Sequence, residues 1–439
     1  MDNNQIVTAL FDAVQNNNLD IAGADKKFYT KLVLHAAEIR DLYTQLYNDH
    51  PEFGTNFTKL IEVLISAHLN RPQELKDRDN KKPENWYISN ELAGMSIHMD
   101  RFSGGLNALR DKFPYFQDLG INVLHLINAG TNLNEIRAAM HQNGMSLMLD
   151  LSQNNQAISD CTNPAGLVKL LEEIFTQANV GVDILRIDVA DFKENQFHIH
   201  TIFQLVKQCL QVTSPGMALA VSAIGSAEEA MTFFGEGRYM AKEADFVYNT
   251  TQTALQRDAL ASGQVTEMAE AEVLMLNKPF GTTWITSASN VGNTGNSSAS
   301  LQQILLMQAN CFLIGGLPML SYQDELEGTI ESKIFSGIKK LLTIRKRLNV
   351  VADTKNTRWL PRHNIHIAGF VRNGREKALY CIFNYSNESA YLTWHSFRHN
   401  GLAPEKLYDH WREDYYEPGS DAEFLVIEPY GFYLLEVVA

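Results

Sequence analysis

The residues best placed to do chemistry are Arg186 and Asp188, two apart in the run Gly181-Val182-Asp183-Ile184-Leu185-Arg186-Ile187-Asp188. Residues i and i+2 of a strand share one face. A guanidinium there stands beside a carboxylate and lowers its pKa. Such a pair suits a carboxylate that must stay ionised, as a nucleophile or as an acceptor of hydroxyl protons. It equally suits a buried ion pair that only stabilises the fold. Other candidates are weaker. Glu228 and Glu229 open a helical stretch and read as a solvated helix N-terminus. His198 and His200 would point apart on a helix, which disfavours a shared metal. Trp394, Trp411, Tyr415 and Tyr416 could form a sugar platform, though packing accounts for them more simply. The four cysteines, Cys161, Cys209, Cys311 and Cys381, lack metal-type spacing. No phosphate-cradling glycine loop and no hydrolase nucleophile elbow is present. No metal and no cofactor is expected.

The elements that must position Asp188 can be read from periodicity. From Phe28 to Leu69 apolar residues recur at helical spacing, with Leu32, Ala36, Ile39 and Leu46 on one face. Arg71 to Lys82 is charged, ends at Pro83 and reads as a linker. From Trp86 short apolar runs alternate with helical stretches. Candidate strands are 95–99, 122–127, 146–151, 183–189, 218–222, 245–248, 283–287 and 317–321. Alternation of this kind implies parallel strands covered by helices. Eight units imply an α/β fold, a (β/α)8 TIM barrel; a doubly wound open sheet is the alternative. After Leu348, residues 366–371 and 378–384 flank Asn373-Gly374, a hairpin signal, and further β runs follow. The expected organisation is an N-terminal helical module over residues 1–84, a barrel over 85–350 and a C-terminal antiparallel β-sandwich domain over 351–439.

Bulk properties narrow the partners. The 439 residues carry a net charge of −14, which repels phosphate backbones and anionic lipid, so neither nucleic acid nor membrane is expected. The N-terminal Met1-Asp2-Asn3-Asn4-Gln5 has no basic region leading into an apolar core. With scattered lone thiols, a cytoplasmic location is the expectation.

Longer motifs bring in a family. Trp86-Tyr87-Ile88-Ser89-Asn90, Met99-Asp100-Arg101-Phe102-Ser103-Gly104 and Leu109-Arg110-Asp111-Lys112-Phe113-Pro114-Tyr115-Phe116 resemble the first barrel unit of amylosucrases. Leu119-Gly120-Ile121-Asn122-Val123-Leu124-His125-Leu126 resembles the approach to their second strand. The 181–188 run resembles the fourth-strand motif of glycoside hydrolase family 13 in its amylosucrase form. Gly315-Gly316-Leu317-Pro318 with Asp324-Glu325, and Pro429-Tyr430-Gly431, resemble its eighth strand and closing strand. The resemblance spans nearly the whole chain. It implies an enzyme class that splits sucrose and transfers glucose to an α-glucan with retention. Retention needs two carboxyl groups about 5–5.5 Å apart, one attacking and one protonating.

The resemblance implies a role for each position, and many positions depart from the pattern. Asp188 matches the nucleophile and Arg186 its partner. Asp100, Asp150 and Asn290 match places that would touch sugar. Ser222 stands where the family keeps its acid/base glutamate. Ala288 and Ser289 stand at a histidine and a stabilising aspartate, and Asn155 stands at a second histidine. A serine hydroxyl cannot serve as a carboxylic acid, and losing an acid catalyst costs about 10²–10⁴ in rate. The loops are also short: only residues 128–132 join the second strand to its helix. The leading expectation is therefore a pseudoenzyme, with sucrose or an α-glucan bound weakly if at all. Two alternatives stay open. One is an active retaining transglucosidase whose acid has moved to Asp191, Glu194 or Glu325. The other is a structural or regulatory partner, as a homo-oligomer through the N-terminal helices or paired with an active relative.

Overall fold

The computed structural model describes residues 12–130, 133–151, 161–192, 198–223, 225–235, 241–276, 278–287, 299–322, 331–348, 351, 356–360, 364–374, 378–397, 404–417 and 424–438. Its centre is a closed barrel of eight parallel strands in chain order. The strands are β1 (Gly94–His98), β2 (Val123–Ile127), β3 (Ser146–Asp150), β4 (Ile184–Asp188), β5 (Ala218–Ser222), β6 (Phe246–Tyr248), β7 (Thr283–Ser287) and β8 (Leu317–Ser321). The barrel closes where Gly94 pairs with Met319 and Ser96 with Ser321. Strands buried on both faces read as near-continuous apolar runs, as Ala218-Leu219-Ala220-Val221 in β5 shows. Alternate residues point inward, so Val123, Met148, Ile184, Ala220, Phe246, Ile285 and Leu317 fill the interior. The barrel is a packed core that ends in a polar layer at each face.

The N-terminal helices include α1 (Lys26–Tyr47), α2 (Phe53–Asn70) and α3 (Gln73–Lys81). Barrel helices relevant here are α4 (Gly105–Asp111), α5 (Phe113–Leu119), α6 (Asn134–Gln142), α7 (Pro164–Val180), α8 (Ile199–Thr213), α9 (Ala227–Thr232), α10 (Thr250–Ser262), α11 (Thr266–Met275), α12 (Leu301–Leu313) and α13 (Glu331–Arg347). The stripe predicted on α1 faces α8, and that of α2 faces α7, so module and barrel share one apolar core. Val33 and Leu34 stay outside, 54% and 64% exposed. The module's apolar face is thus taken up by the barrel, and this pair is what α1 leaves for any partner.

The segment expected to be a linker is instead helix α3. Only Leu75 of α3 is buried, so no apolar stripe announces it. Its charges are structural. Arg71 donates from Nε and Nη2 to the Asp79 carboxylate at 2.8 and 3.0 Å and from Nη1 to the Ala178 carbonyl at 2.7 Å. Arg78 and Lys82 each reach Asp183, just before β4, at 2.7 Å. Helix α11, between β6 and β7, is a second element that periodicity did not announce.

The C-terminal domain has a six-stranded antiparallel sheet and a two-stranded sheet. Residues Ile367, Val371, Tyr380, Ile382 and Leu435 of the larger sheet pack on Leu392, Leu425 and Ile427 of the smaller, as a sandwich requires. The other face of the larger sheet, with Phe370, Cys381 and Phe383, joins the barrel core. The hairpin at Asn373-Gly374 forms, but Asn373 pairs with Ala378, so its loop is longer than the two-residue turn the dipeptide suggested. All four cysteines are buried, and none is in a disulfide.

Candidate functional site at the carboxyl ends of the strands

Strand register brings the polar residues of the upper layer together. Ser96 pairs with His125, Asp150 with Arg186, and Asp188 with Ser222. The side chains join into one hydrogen-bonded chain across four strands. His125 Nε2 lies 2.9 Å from Asp150 Oδ1, and its Nδ1 lies 3.3 Å from Ser96 Oγ. An ionised carboxylate only accepts, so the ring donates from Nε2 to Asp150. Arg186 Nη1 donates to the same Asp150 oxygen at 2.9 Å, and Nη2 donates to Asp188 Oδ2 at 2.8 Å. Asp188 Oδ1 accepts from the Ala190 N–H at 3.0 Å, so the carboxylate also caps the turn that ends β4. The Tyr248 ring lies under the guanidinium, 5.2 Å from its centre.

Electrostatics fixes what this chain of groups can do. Burial alone would raise the Asp150 pKa, but the hydrogen bonds and charges of His125 and Arg186 outweigh it and hold the carboxyl below the usual range. Asp150 is therefore ionised at neutral pH. It sits one guanidinium away from Asp188 and cannot be the proton donor that a retaining mechanism needs beside a nucleophile. The residue in register beside Asp188 on β5 is Ser222, 5% exposed. The site offers carboxylate oxygens as acceptors for hydroxyl groups. Among the described residues it presents no carboxylic acid partnered to Asp188.

The other predicted residues fall as follows. Asp100 lies beyond β1, half-exposed, and accepts from Asn128 Nδ2 at 3.3 Å; it makes no contact with the Asp150–Arg186–Asp188 chain. Asp191 closes the single turn after β4. Asn155, Ala288, Ser289, Asn290, Glu194 and Glu325 lie outside the described residues. Glu229 makes a reciprocal cap with Ser226 at the start of α9, and Glu228 lies in the same first turn, as the simpler reading of that pair required. His200 is committed to Glu243 through Nδ1 at 2.6 Å and stacks on Phe233. Trp394 is buried against Phe397 and Tyr416, and Trp411 packs on Phe432, so these rings form no open platform. Tyr415 is exposed and carries Lys406 over its ring.

His125 is the site residue that sequence reasoning missed. Its only sequence signal is a histidine inside an otherwise apolar strand, where an imidazole needs a partner. A cavity of about 290 Å³ opens on this face between β8 and β1, lined by Ser96, His98, Arg101, Lys112, Ser321 and Tyr322 among others. It shares Ser96 with the hydrogen-bonded chain, but Asp188 is not part of its wall.

With the geometry in place, the fold can be compared with known proteins. No family model matches the sequence. Solved structures do match. The protein AmyP in complex with maltose superposes with a TM-score of 0.63 at 11% identity, over 80% of this chain and 97% of that one. The α-amylase of Geobacillus thermoleovorans, complexed with acarbose, gives 0.62 at 13% identity, over 80% and 99%. The cyclic α-maltosyl-(1→6)-maltose hydrolase of Arthrobacter globiformis gives 0.61 at 15% identity, over 81% and 100%. At these identities the likeness is one of fold: a (β/α)8 barrel with a C-terminal antiparallel sheet.

Proposed function

We propose that this chain is a non-catalytic relative of the amylosucrase-like glycosidases, one that has kept a sugar-facing carboxylate pair and lost the means to protonate a glycosidic oxygen. The observation that carries this reading is Ser222, in register beside Asp188. A retaining enzyme of this class needs a carboxylic acid there. A serine hydroxyl holds its proton too tightly to give it to a leaving group near neutral pH. Asp150 offers no substitute, because His125 and Arg186 keep it ionised. What remains is suited to binding. Asp188, Asp150 and Arg186 form a hydrogen-bonded row at the carboxyl ends of β3 and β4, with carboxylate oxygens that can accept from hydroxyl groups. Fold neighbours were solved with maltose, maltotriose and a cyclic maltosyl-maltose, which supports a short α-glucan as the ligand class.

The expected result is weak, Asp188-dependent binding. Maltotriose titrated into the full chain and followed by NMR should bind in the millimolar range, because short loops leave the site open to competing water. Asp188→Asn should weaken that binding about tenfold, the effect of losing one charge-assisted hydrogen bond. Equal binding by the variant sinks the assignment of the sugar site to this pair.

A further inference from the structure

The opposite face of the barrel holds a cavity of about 360 Å³. Met217 before β5, Asp245 before β6 and Thr282 before β7 form its floor, at the amino ends of the strands. Lys31 of α1 and Asp79 of α3 close one side. The site is thus built jointly by the helical module and the barrel.

Its charge runs against that of the chain. Four ammonium groups line the cavity, from Lys31, Lys82, Lys207 and Lys242, and the lining carboxylates are Asp79, Glu84 and Asp245. Asp79 is taken by the Arg71 fork. Asp245 is shared by Lys207 and Lys242. Lys82 is held by Asp183, which Arg78 also approaches. Counting these neighbours, six cations (Lys31, Arg71, Arg78, Lys82, Lys207, Lys242) meet four carboxylates (Asp79, Glu84, Asp183, Asp245) in a protein of net charge −14. Lys31 is half-buried and makes no ion pair among the described residues. Burial lowers its pKa, with Asp79 opposing. A desolvated ammonium without a direct counter-ion favours the entry of an anion.

Chemistry narrows the anion. Among the described residues no guanidinium fork lines the cavity, and lysine ammoniums act as point charges that suit a tetrahedral dianion better than a planar carboxylate. Aromatic groups stand beside them. Trp86 carries the Lys82 ammonium 3.9 Å above its ring. Phe280, also lining the cavity, is 75% exposed and presents apolar surface at its edge. The volume suits a single small ligand. We propose that this cavity binds a small organic phosphate, its phosphate between Lys31 and Lys82 and its organic part against Trp86 and Phe280. The site lies apart from the Asp188 face and does not depend on the sugar reading.

Calorimetry and thermal melting on the full chain at low ionic strength test this, with inorganic phosphate, glucose 6-phosphate and AMP as probes and glucose and adenosine as uncharged controls. The phosphates should bind and raise the melting temperature; the controls should do neither. Lys31→Gln should weaken phosphate binding about tenfold, and Lys31→Arg, which keeps the charge, should restore most of it. Phe280→Ala should weaken glucose 6-phosphate or AMP and leave inorganic phosphate unchanged. Asp188→Asn should change none of these. Absence of binding by all three phosphates, or binding that Lys31→Gln leaves intact, overturns the site. Binding of inorganic phosphate with no Phe280 effect on either organic probe overturns the organic ligand.

Discussion

Asp245→Ala should lower the stability of the protein by about 3–5 kcal/mol, the cost of stranding buried charge. Asp245 is 1% exposed just before β6. Its carboxylate accepts from Lys207 and from Lys242 at 2.6 Å, from the Tyr87 hydroxyl at 2.8 Å and from the Leu219 N–H at 2.8 Å. Removing it leaves two ammoniums, a phenol and a strand N–H facing one another in the barrel floor. The cost therefore comes from what is left behind, more than from the pair that is lost. A pH signature accompanies it. Burial raises the Asp245 pKa, but Lys207 and Lys242 outweigh burial and bring it well below the usual carboxylate range. A depressed carboxylate contributes stability that is present above its unfolded pKa, near 4, and is lost as pH falls through the folded value. The urea midpoint of the wild type should fall steeply on acidification, and the variant should show a shallower fall from a lower start. A variant with the wild-type midpoint at pH 7 would mean the floor is not held by this cluster.

Glu272→Gln should do the reverse and stabilise the protein. Glu272 is 1% exposed on α11, beside buried Gln252 and Asn310. Neither of its carboxyl oxygens has a well-formed hydrogen bond. Burial pushes its pKa up to about 8, with weak opposition from Asn310 and Gln252. The folded state then holds a proton that the unfolded chain releases near pH 4.5. Stability from this group is fully present below that pH and is lost as pH rises toward 8. Glutamine imitates the protonated form and removes the dependence. Thermal and urea unfolding should show no gain at pH 4.5 and a gain of about 3–5 kcal/mol at pH 8. A pH-independent difference would show that Glu272 does not carry the buried proton.

Much of the barrel was legible for one physical reason. A strand buried on both faces is a short, largely apolar run, so β5 and β8 could be delimited to the residue from the sequence. The helices α1 and α2 carry apolar stripes and were equally plain. Helix α3 was not, because charges dock it: Arg71, Arg78 and Lys82 reach partners far along the chain, Ala178 and Asp183. The site divides the same way. Arg186 and Asp188 are neighbours on one strand, so their pairing follows from period two alone. The His125–Asp150 contact joins residues 25 apart, and only barrel register brings them together. The lower cavity draws on helix, loop and three strand ends at once, and no local pattern announces it.

The central claim is that the upper site binds without cleaving, and turnover tests it most directly. Purified chain incubated with sucrose and with maltotriose, beside its Asp188→Asn variant, should release glucose and fructose only at the background rate, identically for both proteins. Release above background that Asp188→Asn abolishes would contradict the account and require an acid supplied from elsewhere in the chain.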